Sequence, residues 1–305
     1  MLPPVSAVTP LQAQQFSWEL QLHPNRQKVD FVLDGIRHGF RLGFCSTQRL
    51  KPAKKNKPSA DQHPSVIDEY LAHEVSRGRV AGPFDFPPLP NLQVSSFGVI
   101  PKRGQVGNWR LILDLSSPTG SSVNDGIDPQ EFTLHYITVD QVIQLVSQFG
   151  PGALMAKFDV EAAYRNVPVH PSDRYLPGMK WRNRYYVDLP LPFSLRSAPF
   201  IFNAITDMVE WILVHPYQIS ALLHYLDDFI TAGPPDSLQC AHNLRTALAV
   251  CKRLGLPLHP GKCEGPATVL VILGIELDSV NQVARLPAEK LLLLQGLISS
   301  WLPRK

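Results

Sequence analysis

An apolar run from Ile219 to Leu226 is interrupted by Asp227-Asp228 and resumes at Phe229-Ile230-Thr231. Two adjacent carboxylates cannot lie inside a buried strand, because an unpaired buried charge is too costly. They can sit at the tip of a tight hairpin, where they escape the core and remain close together. A second apolar strand, expected over Ala153 to Phe158, runs directly into Asp159. Like charges a few ångströms apart either raise one pKa strongly or hold a divalent cation, and clustered carboxylate oxygens suit Mg²⁺. An Asp-Asp pair alone is common at β-turns. With Asp159 ending another buried strand, the three carboxylates could hold two metals about 3.5–4 Å apart for in-line phosphoryl displacement.

The remaining elements read as α+β. Prolines number 29 in 305 residues, so much of the chain is extended or turned. Helices are expected near Val29 to Phe40 and Ser65 to Arg79, the second capped by Ser65 with Asp68 and Glu69 in its first turn. The run Lys51-Pro-Ala-Lys54-Lys55-Asn-Lys57-Pro58 has the composition of a solvated linker, with a phosphate-contacting arm as the alternative. Strands at Ser95 to Ile100 and Trp109 to Leu115 form a hairpin around Gly104 to Asn108. Thr138-Val-Asp-Gln141 is a capping box, and Gly150-Pro-Gly152 stops the helix it opens. A hairpin is expected between Met179 to Arg182 and Tyr185 to Leu189, and a helix over Ala198 to Leu213. A further helix carries Leu238, Ala241, Leu244, Leu248 and Cys251, followed by two short strands near Val269 to Leu277.

No apolar run approaches the roughly 18–20 residues that cross a bilayer, so no membrane partner is expected. The four cysteines form no CxxC pair, which suits reduced thiols and an intracellular setting. A net charge of +3 permits an anionic partner without requiring one.

Tyr225-Leu226-Asp227-Asp228 resembles the Tyr-x-Asp-Asp box of reverse transcriptases, and Asp159 to Tyr164 resembles their first palm motif, Asp-x-x-x-x-Tyr/Phe. Between them, Leu191-Pro192-Phe193-Ser194 to Asn203 is similar to the template-and-nucleotide motif. Lys102-Arg103-Gly104 with Trp109-Arg110 to Asp114 resembles the fingers hairpin. Gly255 to Cys263 resembles the lysine-bearing motif, and Leu273-Gly274-Ile275-Glu276-Leu277 the primer grip. The order is that of the family. The stretches Phe31 to Phe40 and His63 to Pro83, with Leu191 to Phe193, are similar to DIRS-type, tyrosine-recombinase retrotransposons.

The resemblance implies a right-hand polymerase fold of fingers and palm with at most a partial thumb. It divides the chain into an extension with basic linker (1–60), fingers (61–152), palm (153–280) and the start of a thumb or connection, truncated (281–305). Asp159 and Asp227 would bridge two Mg²⁺, or Mn²⁺, with the Val160 carbonyl as a further ligand and Asp228 at the periphery. Arg110 would clamp the triphosphate of the incoming deoxynucleotide, together with Lys102 or its neighbour Arg103. Lys262 would protonate departing pyrophosphate. Tyr164 would exclude a 2′-hydroxyl, Tyr225 would meet the primer terminus, and Phe193 the templating base pair. The partners implied are an RNA or DNA template with its primer. No ribonuclease H domain is expected within these residues.

Ser194 departs from the family, which has glycine there. If that position needs a positive φ or close backbone approach, serine strains the loop. The alternatives are therefore a decayed retroelement remnant that only binds nucleic acid, and a metal-dependent nuclease using the same aspartates.

Overall fold

The computed structural model describes residues 9–45, 47, 49–53, 55–102 and 107–301. The strands are β1 (Val80–Phe84), β2 (Val94–Pro101), β3 (Trp109–Asp114), β4 (Leu154–Asp159), β5 (Gly178–Trp181), β6 (Arg184–Asp188), β7 (Leu222–Tyr225), β8 (Asp228–Gly233), β9 (Glu264–Ala267), β10 (Val269–Ile272), β11 (Ile275–Asp278) and β12 (Val283–Arg285). The helices are α1 (Ala13–Glu19), α2 (Arg26–His38), α3 (Pro58–Gln62), α4 (Pro64–Ser76), α5 (Val139–Ser147), α6 (Ala198–Val214), α7 (Gln239–Leu254) and α8 (Ala288–Trp301). Among the described residues no helix is long and apolar enough to cross a membrane.

The chain forms two compact units that are discontinuous in sequence. The first comprises residues up to Leu134 together with Ala162–Ile205, and the second His135–Glu161 together with Thr206 onward. The division interleaves the segments, each unit taking residues from both sides of Gly152.

The first unit is built on a five-stranded sheet in the order β1-β6-β5-β2-β3. The expected hairpins are both present: β2 pairs with β3 and β5 with β6, antiparallel. The β5–β6 turn consists of Arg182 and Asn183, both at positive φ (46° and 61°). Helix α4 starts at Pro64 behind His63, so Ser65 is not its cap, and no acid lies in its first turn. Proline at the first helical position explains the earlier start, since its φ is preset for helix and its missing N–H is not needed there. A buried charge cluster fastens this helix: Arg165 donates to Glu74 at 2.7 Å and to Asp188 at 2.7 Å, and Arg79 donates to Glu74 at 2.9 Å. Because each of these charges is paired, their desolvation is offset.

The basic run does not lie free. Ala53 and Lys57 donate their backbone N–H to the carbonyls of Val94 and Phe97, each at 2.8 Å. Asn56 Oδ1 accepts from the Phe97 N–H, and Lys57 pairs with Asp114 at 2.7 Å. The arm therefore lines β2, held by donors that survive between its prolines; Lys54 is outside the described residues.

The second unit carries an antiparallel sheet in the order β7-β8-β4-β9 and a smaller one, β10-β11-β12. Helix α5 opens with the full Thr138–Gln141 capping box. Its Val142, Leu145 and Val146 pack with Met155, Ile230, Ala232, Leu270, Ile272 and Leu277 to form the core. Helix α7 ends at Gly255, whose φ of +73° makes the left-handed cap. Helix α8 has no buried residue.

Candidate active site

The site in the second unit is generated by strand register. In the antiparallel β4–β8 ladder Phe158 lies opposite Phe229, and Asp159 opposite Asp228. The two phenylalanine rings are fully buried and stacked at 4.8 Å. They anchor the ladder one residue before it ends, and the pair that closes it is two carboxylates, Asp159 buried and Asp228 partly buried. Asp227 belongs to the two-residue turn from β7 to β8, and Leu226 before it is at φ +54°. A bulky residue in the left-handed region is strained, and such strain concentrates at functional turns.

Like charges directly opposite across a ladder destabilise it. Burial, followed by the neighbouring Asp227 and Asp159 carboxylates, pushes Asp228 up to about 6. Asp227 is also pushed up, chiefly by burial, with Asp159 adding to the effect. Lys262, in a single helical turn at Pro260–Lys262, donates from Nζ to Asp159 Oδ2 at 2.7 Å. Burial disfavours its charge, yet the hydrogen bond to Asp159 and the three carboxylates together hold it above the usual lysine value. Backbone bonds lock this arrangement: Val160 N–H donates to the Asp227 carbonyl and His259 N–H to the Asp159 carbonyl, both at 2.9 Å.

The structure thus brings together Asp159, Val160, Tyr225, Asp227, Asp228 and Lys262. The three aspartates do not, however, form a ready three-carboxylate cage. Among the described residues no group of three His, Cys, Asp or Glu side chains is arranged to hold a metal ion. Lys262 Nζ instead donates to Asp159 Oδ2. The donor set still fits Mg²⁺, which is commonly held by one or two carboxylates together with substrate phosphates.

Several neighbours escaped the sequence reading. Tyr136 packs against Tyr225 with ring centroids 4.9 Å apart. Lys157, on β4, donates to the Val271 carbonyl at 2.8 Å and pairs with Glu264 at 2.9 Å. His224 is buried against Phe229, with Nδ1 on Glu210 and Nε2 3.4 Å from Asp207. These are long-range partners without a local motif. A cleft of about 630 Å³ beside Asp228 is lined by Thr138, Lys157, Tyr225, Val271, Leu273 and Gly274, among others.

The other predicted residues belong to the first unit. Arg110 is exposed on β3, where it is paired in register with Ile100, and Lys102 follows β2. Arg103 lies outside the described residues. Tyr164 is half-buried between Phe193 and Phe202, at 5.8 and 5.6 Å. Ser194 is at φ +67°, the left-handed conformation suspected for this position. Its hydroxyl donates to the Leu113 carbonyl at 2.5 Å, and its own carbonyl accepts from Asn124 Nδ2 at 2.8 Å. Serine is therefore accommodated, with hydrogen bonds offsetting part of the backbone cost.

The model of the reverse transcriptase (RNA-dependent DNA polymerase) family matches residues 100–277, more than half of the chain. The retrovirus-related Pol polyprotein from transposon 412 of Drosophila melanogaster is 24% identical over 170 residues, covering 54% of this chain and 12% of that protein. Polyprotein P3 of Commelina yellow mottle virus is 25% identical over 198 residues, covering 59% and 9%. The chain thus spans about a tenth of these relatives. Among solved structures it is similar to the foamy viral protease-reverse transcriptase in complex with dsDNA (TM-score 0.63, 16% identity, 96% of this chain and 60% of that one). The same protein with an RNA/DNA hybrid gives 0.63, 14%, 93% and 37%.

Proposed function

Because the chain belongs to the reverse transcriptase (RNA-dependent DNA polymerase) family and has the right-hand polymerase fold, we propose that it extends a primer 3′-end with deoxynucleotides, directed by an RNA or DNA template. The observation that carries this reading is the register of β4 against β8, which sets Asp159 opposite Asp228 at the tip that also bears Asp227. Two of the solved relatives hold dsDNA and an RNA/DNA hybrid, and template and primer are proposed here on that likeness.

Asp159 and Asp227 are the residues that would hold divalent metal, with the Val160 carbonyl as a further donor and Asp228 at the margin. Bound Mg²⁺ supplies a lowered pKa at the primer hydroxyl and charge neutralisation at the triphosphate. Lys262 keeps its proton near the carboxylates and is the group proposed to pass it to pyrophosphate. Tyr225 is assigned to the primer terminus, its ring held by Tyr136. In the first unit, Arg110 and Lys102 are the cations reserved for the triphosphate, Tyr164 the barrier to a 2′-hydroxyl and Phe193 the contact to the templating pair. The DIRS-type placement rests on the N-terminal segments quoted above, and an intracellular setting on the four free cysteines.

The test is extension of a DNA primer on an RNA template with Mg²⁺ and deoxynucleotides, using the chain, Asp227→Asn and Ser194→Gly. Extension that vanishes in Asp227→Asn supports the reading. Extension by Ser194→Gly alone supports the second reading, a copy decayed at the strained Ser194. Silence from all three folded proteins refutes polymerase activity in this chain.

A further inference from the structure

Arg165 follows Tyr164 directly in the chain and is 4% exposed. All three of its guanidinium nitrogens are committed to two buried carboxylates. Nε and Nη2 converge on Glu74 Oε2 at 3.1 and 2.7 Å, and Nη1 reaches Asp188 Oδ2 at 2.7 Å. Arg79 donates to both oxygens of the same Glu74. Stability alone does not call for such a cluster, because apolar side chains of similar volume often serve a fold equally well. What a planar fork on two carboxylates adds is direction, since the guanidinium cannot be turned without losing a bond.

The direction matters because of where the arginine stands. Tyr164 and Arg165 share one helical turn, Ala163–Asn166, entered through Ala162 at φ +54°. A single turn has little stability of its own, so its orientation is set by what its side chains grip. The half-buried Tyr164 ring lies between Phe193 and Phe202, while the next side chain runs into the core. At the far end of the fork, Asp188 begins the stretch that leads to Phe193. The two stretches are bonded to each other: Val169 N–H donates to the Leu189 carbonyl and Leu191 N–H to the Val167 carbonyl, both at 2.8 Å. Arg165 thus ties the turn bearing Tyr164 to the chain approaching Phe193 and, through Glu74, to α4.

We propose that Arg165 is a positioning residue for the choice of sugar: it holds the Tyr164 ring in the position from which it excludes a 2′-hydroxyl. The inference rests on the polymerase reading and on the place of Tyr164 in it. Without the fork the turn is free to rotate and the ring to withdraw, which admits a ribonucleotide and changes little for a deoxynucleotide.

The test is single-nucleotide extension of a DNA primer on an RNA template by the whole chain, comparing kcat/KM for dCTP and CTP. In Arg165→Met the dCTP/CTP ratio falls about tenfold, chiefly through a lower KM for CTP, and in Arg165→Lys, which keeps the charge without the fork, it falls about threefold. Partial unfolding lowers kcat for both nucleotides alike and leaves the ratio unmoved, so the ratio separates positioning from mere support of the fold. Tyr164→Val is the reference. A ratio kept in Arg165→Met but lost in Tyr164→Val overturns the inference alone, and a ratio kept in both overturns the assignment of Tyr164 with it. Should Arg165→Met not fold, Asp188→Asn takes its place with the same outcomes: burial, against the pull of Arg165, pushes that carboxyl up to about 6, so neutralising it is the milder change. Should no variant extend a primer, the ¹⁹F spectrum of 3-fluorotyrosine-labelled protein decides, with the Tyr164 resonance identified by its loss in Tyr164→Phe. A Tyr164 resonance displaced or split when the fork is removed supports the positioning role, and an unmoved one overturns it.

Discussion

Asp228→Asn removes one of three crowded carboxylates while keeping its shape, and it should stabilise the protein in the absence of metal. Folding raises the Asp228 pKa from 3.8 to about 6. At about 1.4 kcal/mol per pKa unit this is a ceiling of roughly 3 kcal/mol on the charged form. The side chain is only half-buried, so solvent screening reduces the figure to about 1–2 kcal/mol. The sign follows from the direction of the shift. A raised carboxyl pKa favours the fold while the group is protonated, below about pH 4, and that advantage is lost as the pH rises through about 6. The asparagine protein should therefore melt about 2–5 °C higher than the parent at pH 7.5 without metal, and the gap should close near pH 4. Adding Mg²⁺ should then favour the parent, which keeps the full carboxylate set. Thermal melts at both pH values, with and without Mg²⁺, measure all of this. A variant no more stable at pH 7.5, or a gap unaffected by pH, would show that burial and the neighbouring carboxylates do not penalise the Asp228 charge.

Phe229→Ala deletes one half of the stacked, fully buried pair beneath the site and should cost about 3–5 kcal/mol in urea denaturation; a loss below about 1 kcal/mol would mean that the stack does not anchor the ladder. Ser194→Gly exchanges relief of left-handed strain for the lost Leu113 hydrogen bond, so stability should change by less than about 1 kcal/mol, a small shift in melting temperature. Lys262→Ala should slow single-turnover extension about 100-fold with little effect on nucleotide affinity, as loss of a general acid does, and a rate within about twofold of the parent would remove Lys262 from that role.

The site was legible where chemistry is local. An apolar run ending at Asp159 announced β4, one interrupted by Asp227-Asp228 announced β7 and β8, and Thr138–Gln141 announced α5, because hydrophobic runs and capping act over a few residues. The cross-strand register of Asp159 and Asp228 was not legible, since it depends on pairing between distant segments. Prolines in the 51–58 run suggested a solvated linker, but Ala53, Asn56 and Lys57 retain enough donors and acceptors to dock on β2. The cap at Ser65 failed because Pro64 starts the helix one residue earlier. His224 lies within an apolar strand run, and only packing reveals the carboxylates of Asp207 and Glu210 beside it.

The interleaved order of the two units bears on how the protein is made. Both sheet neighbours of β4, β8 and β9, come later in the chain. During synthesis at about 5–20 residues per second, β4 leaves the ribosome roughly 5–20 s before Ala267 completes its second partner. For that interval a hydrophobic strand ending in Asp159 presents two unsatisfied edges, the kind of template on which chains aggregate. A nascent chain halted before β8 should therefore depend on chaperones far more than one released after β9.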